Sequence, residues 1–332
     1  MRKLFRTDAE PVHWASLGER GVYLGLRLML GTYRLLGRFG FSVLLMPVVF
    51  YFYLSSGQAR AASRAYLARV YDIPEGRKLL GRRPDWRSGI WHFYEFGQSV
   101  LDKIAAWVGD IKLDDIVFEN SEAFDELANA GQGAVLIGSH LGNMEVCRAL
   151  SRRHRDLKLH VLVHTKHSEN FSRVIQEASP DAGVSLIQTT EVGPGTAMRL
   201  QEGIDKGDLV VLVGDRTPQS GVGRNGWAPF LGQDAPFPQG GYILASLFQC
   251  PVLLIFCVKR GNRYHITFEK FADRIELPRR RREEALQSYI NKFAERLEFH
   301  TLRAPFQWFN FFDFWNQATG ATARDRQNSE GK

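Results

Sequence analysis

Cysteine is scarce in this chain. There are three among 332 residues, at positions 147, 250 and 257, and no Cys-x-x-Cys pair. That excludes a disulfide framework and argues against a thiolate metal site. Cys250 and Cys257 flank or lie within an apolar run, so the thiols read as small core hydrophobes. Internal repeats and low-complexity linkers are missing as well. The start, "MRKLFRTDAEPVHW", has no apolar core close behind its basic residues, which argues against a cleaved signal peptide and for a cytoplasmic protein. Acidic residues are outnumbered, 36 Asp and Glu against 43 Lys and Arg, for a net charge of +7. Such a surface attracts anions: nucleic acid, an acidic carrier protein or an anionic membrane face. The basic residues are dispersed and no groove-reading motif accompanies them, so nucleic acid is disfavoured.

Charge itself is missing from one window. Between Arg38 and Arg60 no residue is charged, and "FGFSVLLMPVVFYFYL" from Phe39 to Leu54 is almost wholly apolar. A bilayer-spanning helix wants about 20 apolar residues, so this run, with Pro47 in its middle, is read either as inserted in a membrane or as a docked helix. Before it, Arg20, Arg27, Arg34 and Arg38 stand seven, seven and four apart, which stacks them on one helical face beside Leu24, Leu28 and Leu35. That stripe suits a headgroup layer. Arginines at 60, 64 and 69 follow the window, so charge bias fixes no orientation.

With 44% apolar residues the rest can bury a sizeable core. The expected organisation is an N-terminal helical membrane-association segment over 1–75, an α/β domain over 76–317, and a disordered polar tail over 318–332. In "WRSGIWHFYEFGQSVLDKIAAWVG" the spacing predicts a helix burying Trp91, Phe93, Phe96, Val100, Ile104 and Trp107. Short apolar runs at 134–139, 159–163, 184–187, 209–214 and 252–258 alternate with helical stretches at 168–178, 195–206 and 239–249. Near-continuous apolar strands between helices predict a mostly parallel central sheet covered on both faces. "RYHITFE" at 263–269 alternates and reads as a last, antiparallel strand. A charged helix over 281–302 leads to the aromatic "PFQWFNFFDFW".

The first apolar run ends in chemistry: "AVLIGSHLGNMEV" puts His140 just past the strand and Glu145 five residues on. If both were helical they would lie about 140° apart and could not meet. With His140 on the loop at the strand's carboxyl end and Asn143 as N-cap of the next helix, Glu145 falls in the first turn and can reach back. Open α/β sheets hold ligands there. A carboxylate on one imidazole nitrogen fixes the tautomer and strengthens the other as a base. The alternative is a surface histidine beside a first-turn glutamate.

Together, "GSHLGNMEV", "GDRTP" at 214–218, "PFLGQDAPFPQGGYILASLFQCPVLLIF" and the closing "QWFNFFDFW" resemble the lysophospholipid acyltransferase superfamily, in the glutamate form of its HxxxxD/E motif carried by the bacterial lipid A late acyltransferases. The resemblance implies that His140 deprotonates an acceptor hydroxyl that attacks an acyl thioester, and that Glu145 orients it. It also makes Asn143, Asp215 and Arg216 candidate substrate or phosphate contacts. Lys166 and Arg173, in "HTKHSENFSR", are candidate acceptor contacts, although the stretch departs from the family's asparagine-rich pattern. The implied protein is an inner-membrane O-acyltransferase facing the cytoplasm. Its donor is an acyl carrier protein or acyl-coenzyme A, its acceptor a lipid or glycolipid, and it needs no cofactor. N-acylation, transfer of an unusual polyene chain and a non-catalytic lipid-binding role are the alternatives.

Three other patterns fail on context. "GVGRNG" at 221–226 follows no strand and opens no helix, so it reads as a loop over the site rather than a dinucleotide cradle. "GSHLG" lacks the glycine of a nucleophile elbow, Ile137 standing in its place. His160, His164 and His167 have no acidic partner at ligand spacing in sequence.

Overall fold

The structure, a computed structural model, describes residues 19–154, 157–163, 184–188, 193–216 and 225–315. The helix expected over 168–178, the loop residues 217–224 and the tail expected over 318–332 lie outside them.

A seven-stranded sheet carries the fold, in the order β1 (Ile116–Glu119), β9 (Arg263–Ala272), β8 (Val252–Arg260), β2 (Ala134–Gly138), β5 (Leu209–Val213), β3 (Leu159–Val163), β4 (Val184–Gln188). The five strands from β8 to β4 are mutually parallel, and β9 is antiparallel to β8, as the alternation in "RYHITFE" led one to expect. β9 is not the edge, however, because the four-residue β1 pairs parallel beyond it. So short a strand leaves too little periodicity to read.

Successive residues of a strand point to opposite faces, and here both faces are dry. Val135, Ile137, Val210, Leu212, Leu254 and Phe256 pack on one side with helix α7 (Gly240–Phe248) and α8 (Arg282–Arg303). Leu136, Leu209, Val211, Leu253 and Ile255 pack on the other with α4 (Trp86–Val108) and α5 (Glu122–Asn129). This double burial is why the strands appear as unbroken apolar runs. Helix α6 (Pro194–Asp205) precedes β5, and β6 (Asn225–Phe230) and β7 (Gln233–Pro238) form a separate hairpin. Its three prolines mask it in the sequence, since proline lowers the strand reading. Asn225 and Gly226, read with the loop, begin β6.

At the amino side, α1 (Glu19–Ser55) is broken at Gly37, whose φ of 64° and ψ of −173° are not helical. Its Phe41, Leu45, Val49 and Tyr53 are buried in the core shared with α4. Each such burial contributes about 1.5–3 kcal/mol, so α1 is held to the body of the protein. Leu35, Phe39, Val43, Phe50 and Leu54 remain exposed on its other faces.

The arginine stripe does not act as a unit. Arg38 turns inward to an ion pair with Asp102 of α4 and donates to Tyr264 Oη at 3.0 Å, while Lys259 Nζ takes Asp102 from the other side at 3.0 Å. Arg34 is exposed, and the side chains of Arg20 and Arg27 are outside the described residues. A buried carboxylate that recruits two cations outweighs the helical pattern.

α4 corrects a second expectation. Phe93 and Ile104 are buried as expected and Val100 is half-buried, but Trp91 and Phe96 are 49% and 41% exposed and the side chain of Trp107 is outside the described residues; the buried face also carries His92, Ser99, Leu101, Asp102 and Ala105. Of these His92, Ser99 and Asp102 are polar, and apolar periodicity cannot mark them. α2 (Gly57–Asp72) and α3 (Pro74–Leu80) link α1 to α4.

Candidate active site

β2 and β5 are parallel neighbours in the middle of the sheet, with Gly138 opposite Val213. Each is followed by one residue and then by a titratable one, His140 and Asp215, so the two emerge side by side at the carboxyl edge. The pairing continues past the strands, Gly214 N–H donating to the Gly138 carbonyl at 2.9 Å. From β2 the chain passes over β5 to β3, and from β5 it returns past β2 to β8. Such a reversal opens a crevice at the strand ends.

His140 Nδ1 lies 2.8 Å from Asp215 Oδ1, and His140 N–H donates to Oδ2 at 3.0 Å. Asp215 is fully buried, while the His140 side chain is 33% exposed. Burial works against Asp215 ionising, but His140 and Arg216 outweigh it and hold the carboxyl below the usual carboxylate range. An ionised carboxylate only accepts, so Nδ1 carries the proton and Nε2 is the ring's free base. Burial, aided by the Arg216 guanidinium, pulls the imidazole below its ordinary value, with Asp215 pulling the other way. Neutral imidazole therefore persists below the usual histidine range.

The nitrogen that the sequence reading gave to Glu145 is thus occupied by Asp215. Glu145 sits in a 3-10 turn over Met144–Ala149, its N–H capped by Asn143 Oδ1 at 3.1 Å, so Asn143 is the cap expected of it. Asn143 Nδ2 donates to the Ser99 carbonyl of α4 at 3.2 Å. Both polar ends of that side chain are thus engaged within the protein. One turn beyond Ser99, Lys103 feels Glu145, which raises its affinity for a proton, but burial dominates and lowers it, as does Arg216.

Gly142 locks the loop. Its φ is +71°, and a Cβ would stand 1.8 Å from the Cys257 carbonyl, so only glycine fits. The loop also pairs with the aromatic carboxyl-terminal segment: Gly142 N–H donates to Gln307 O at 2.7 Å and Phe309 N–H to His140 O at 3.2 Å. Trp308 Nε1 donates to Asp215 Oδ2 at 3.0 Å. Arg216 Nη2 donates to Phe309 O at 2.7 Å and its Nε to Asn310 Oδ1 at 3.2 Å. Sequence reasoning assigned no site role to Lys103, Trp308 or Asn310. The only signal for the last two was a Gln-Trp-Phe-Asn run among phenylalanines.

Lys166 and Arg173 lie outside the described residues, as do His164 and His167. His160 does have an acidic neighbour, Asp208 Oδ2 at 2.9 Å, supplied from 48 residues away. Ser139 is buried and accepts the Leu141 N–H at 3.3 Å, so it is not poised as a nucleophile.

A family model described as bacterial lipid A biosynthesis acyltransferase matches residues 93–317. The match takes in α4 from Phe93 onward, the whole described sheet and every residue placed at the site above. No curated protein matches the chain.

Proposed function

The chain belongs to the bacterial lipid A biosynthesis acyltransferase family, making it a lipid acyltransferase, and from that premise we propose how it works. The acyl group passes from a carrier-protein or coenzyme A thioester to a hydroxyl of a lipid or glycolipid. The observation that carries this reading is the pairing of a partly exposed His140 with a buried, ionised Asp215. His140 Nε2 takes the hydroxyl proton as the oxygen attacks the thioester carbon. The C–O bond forms, the tetrahedral oxyanion collapses, the C–S bond breaks, and the imidazolium returns its proton to the leaving thiolate. Asp215 keeps the productive tautomer and stabilises the imidazolium. The neighbouring cations Arg216 and Lys103 favour the oxyanion or a substrate phosphate, and Lys166 and Arg173 remain proposed acceptor contacts. Glu145, through Lys103, balances charge at the mouth.

The donor question has a direct test. Acyl carrier proteins are acidic, so a protein of +7 net charge meets them faster than it meets the smaller coenzyme A, and screening beyond about 10 Å at 0.1 M salt weakens that advantage. The purified protein is incubated with both thioesters and a total lipid extract, and the acylated product is identified by mass spectrometry. The expected result is preference for the carrier-protein thioester, with its kcat/KM falling more steeply between about 50 and 300 mM salt. Equal use with parallel slopes rejects carrier docking, and the absence of any acylated lipid rejects the proposed reaction. The exposed Arg279–Arg282 cluster is not part of that mouth. It starts α8, whose 22 residues put it about 30 Å along the helix axis from the end leading to Gln307.

For localisation we propose the inner membrane, with the site facing the cytoplasm. Residues 31–55, helical on either side of the break at Gly37, have mean hydropathy 1.8 and few buried positions. Because α1 is packed on α4, its outer face enters the lipid while its inner face stays on the protein. Replacing Leu35, Phe39, Val43 and Phe50 together by glutamine is expected to move the protein from the membrane to the soluble fraction without lowering its Tm. Unchanged sedimentation with membranes would reject this face as the anchor.

A further inference from the structure

Asp215 is held from a third side that the proposed chemistry does not use. We propose that Trp308 is a positioning residue for acyl transfer: its indole N–H, on Asp215 Oδ2, fixes the plane of the carboxylate and tempers the charge that Asp215 presents to His140. This rests on the His140–Asp215 reading above.

The geometry is specific. Oδ2 receives two neutral donors, His140 N–H and Trp308 Nε1–H, both at 3.0 Å, and leaves Oδ1 to the imidazole at 2.8 Å. With both oxygens engaged the carboxylate cannot turn about its own bond without breaking a contact. Trp308 is itself immobilised. Its ring is fully buried against Tyr66, Phe230 and Phe314, with centroids 5.1, 5.1 and 4.9 Å away. Its carbonyl meets His92 Nε2 at 3.1 Å, and His92 Nδ1 meets Ser63 Oγ at 2.9 Å. Burial pulls the His92 imidazole down to about 4, so it is neutral. A carbonyl can only accept, so Nε2 carries the proton and Nδ1 accepts from Ser63. Ser63, His92 and Trp308 thus donate in turn towards Asp215, from α2 through α4, and His140 donates to the same carboxylate from the other side, so that every donor converges on Asp215.

A purely packing tryptophan would leave the proton affinity of His140 alone, and a donor to Asp215 would not. Without the indole N–H more charge resides on the carboxylate, the imidazolium is better stabilised, and His140 protonates at higher pH. The other charged or titratable groups facing the pair are Arg216 after β5, Lys103 of α4 with its neighbour Glu145, and Tyr242 of α7. All are retained in the variants, so a shift isolates the indole.

The test uses Trp308→Phe and, in the same full-length protein, Trp308→3-benzothienylalanine, which replaces N–H by sulfur and keeps the ring's shape. Expected are a kcat lower by roughly tenfold, a KM close to wild type, and an acid limb of the kcat/KM profile displaced upward by about half a unit to one unit. Should Trp308→Phe fail to fold, the isosteric variant decides alone. An acid limb that stays in place in the folded variant overturns the inference. Asp215→Asn separates the two levels: if it transfers acyl groups at the wild-type rate, the pair itself is misread and the inference falls with it. If it is inactive while the Trp308 variants keep the wild-type limb, only the role of the indole is wrong.

Discussion

His140→Ala is expected to fold and to lose acyl transfer by about 10²–10⁴-fold, the range for removing a positioned general base. The fold survives because His140 is at a strand end with a third of its side chain in solvent, and water can enter the space it leaves. Asp215 keeps Trp308 and the main-chain N–H of residue 140 as donors. Thermal melting checks the fold, and a mass-spectrometric assay of the acylated lipid checks the rate. In the wild type the base is the neutral ring, so activity is present above the His140 pKa and is lost as pH falls through it. Burial and Arg216 depress that pKa, which places the acid limb below the ordinary histidine value of about 6.5. Wild-type rates in the alanine variant would remove His140 from the chemistry. Retained lipid binding with abolished transfer, by contrast, is the outcome that separates a catalyst from a lipid-binding scaffold.

Asp215→Asn should cost a comparable factor, again about 10²–10⁴-fold, although it changes one atom. The reason lies in which oxygen is already committed. Two N–H donors converge on Oδ2, so the amide oxygen of asparagine settles there and its NH2 group faces Nδ1 of His140. Nδ1 must then accept, the ring proton moves to Nε2, and the nitrogen that should take the hydroxyl proton is blocked. The ring's ¹⁵N spectrum reads this directly. Asp215→Asn should exchange the two nitrogen signatures, and Glu145→Gln should leave them unchanged, because Nδ1 faces Asp215. If Glu145→Gln flips the tautomer and Asp215→Asn does not, the orienting carboxylate is Glu145 after all.

What the sequence by itself determined is local. Five apolar runs became five parallel strands because burial on both faces removes the need for alternation, and the alternating "RYHITFE" became the antiparallel β9. The strand-end placement of His140 and the cap at Asn143 were legible from a run of six residues, since both depend only on neighbours in the chain. Wherever a polar residue is buried by a distant partner, local pattern misled. Asp102 drew Arg38 off the basic stripe, and with His92 and Ser99 it takes places on the buried face of α4 while Trp91 and Phe96 stay exposed. The site has the same origin. Asp215 reaches His140 across 75 residues only because β5 is in register beside β2, and Trp308 joins them across a further 93 because the end of α8 returns the chain to the same edge. Strand order and register are set by how whole faces pack, a long-range choice that no window of sequence contains. For that reason only the tertiary structure shows an aspartate from beyond the motif on Nδ1 of the histidine.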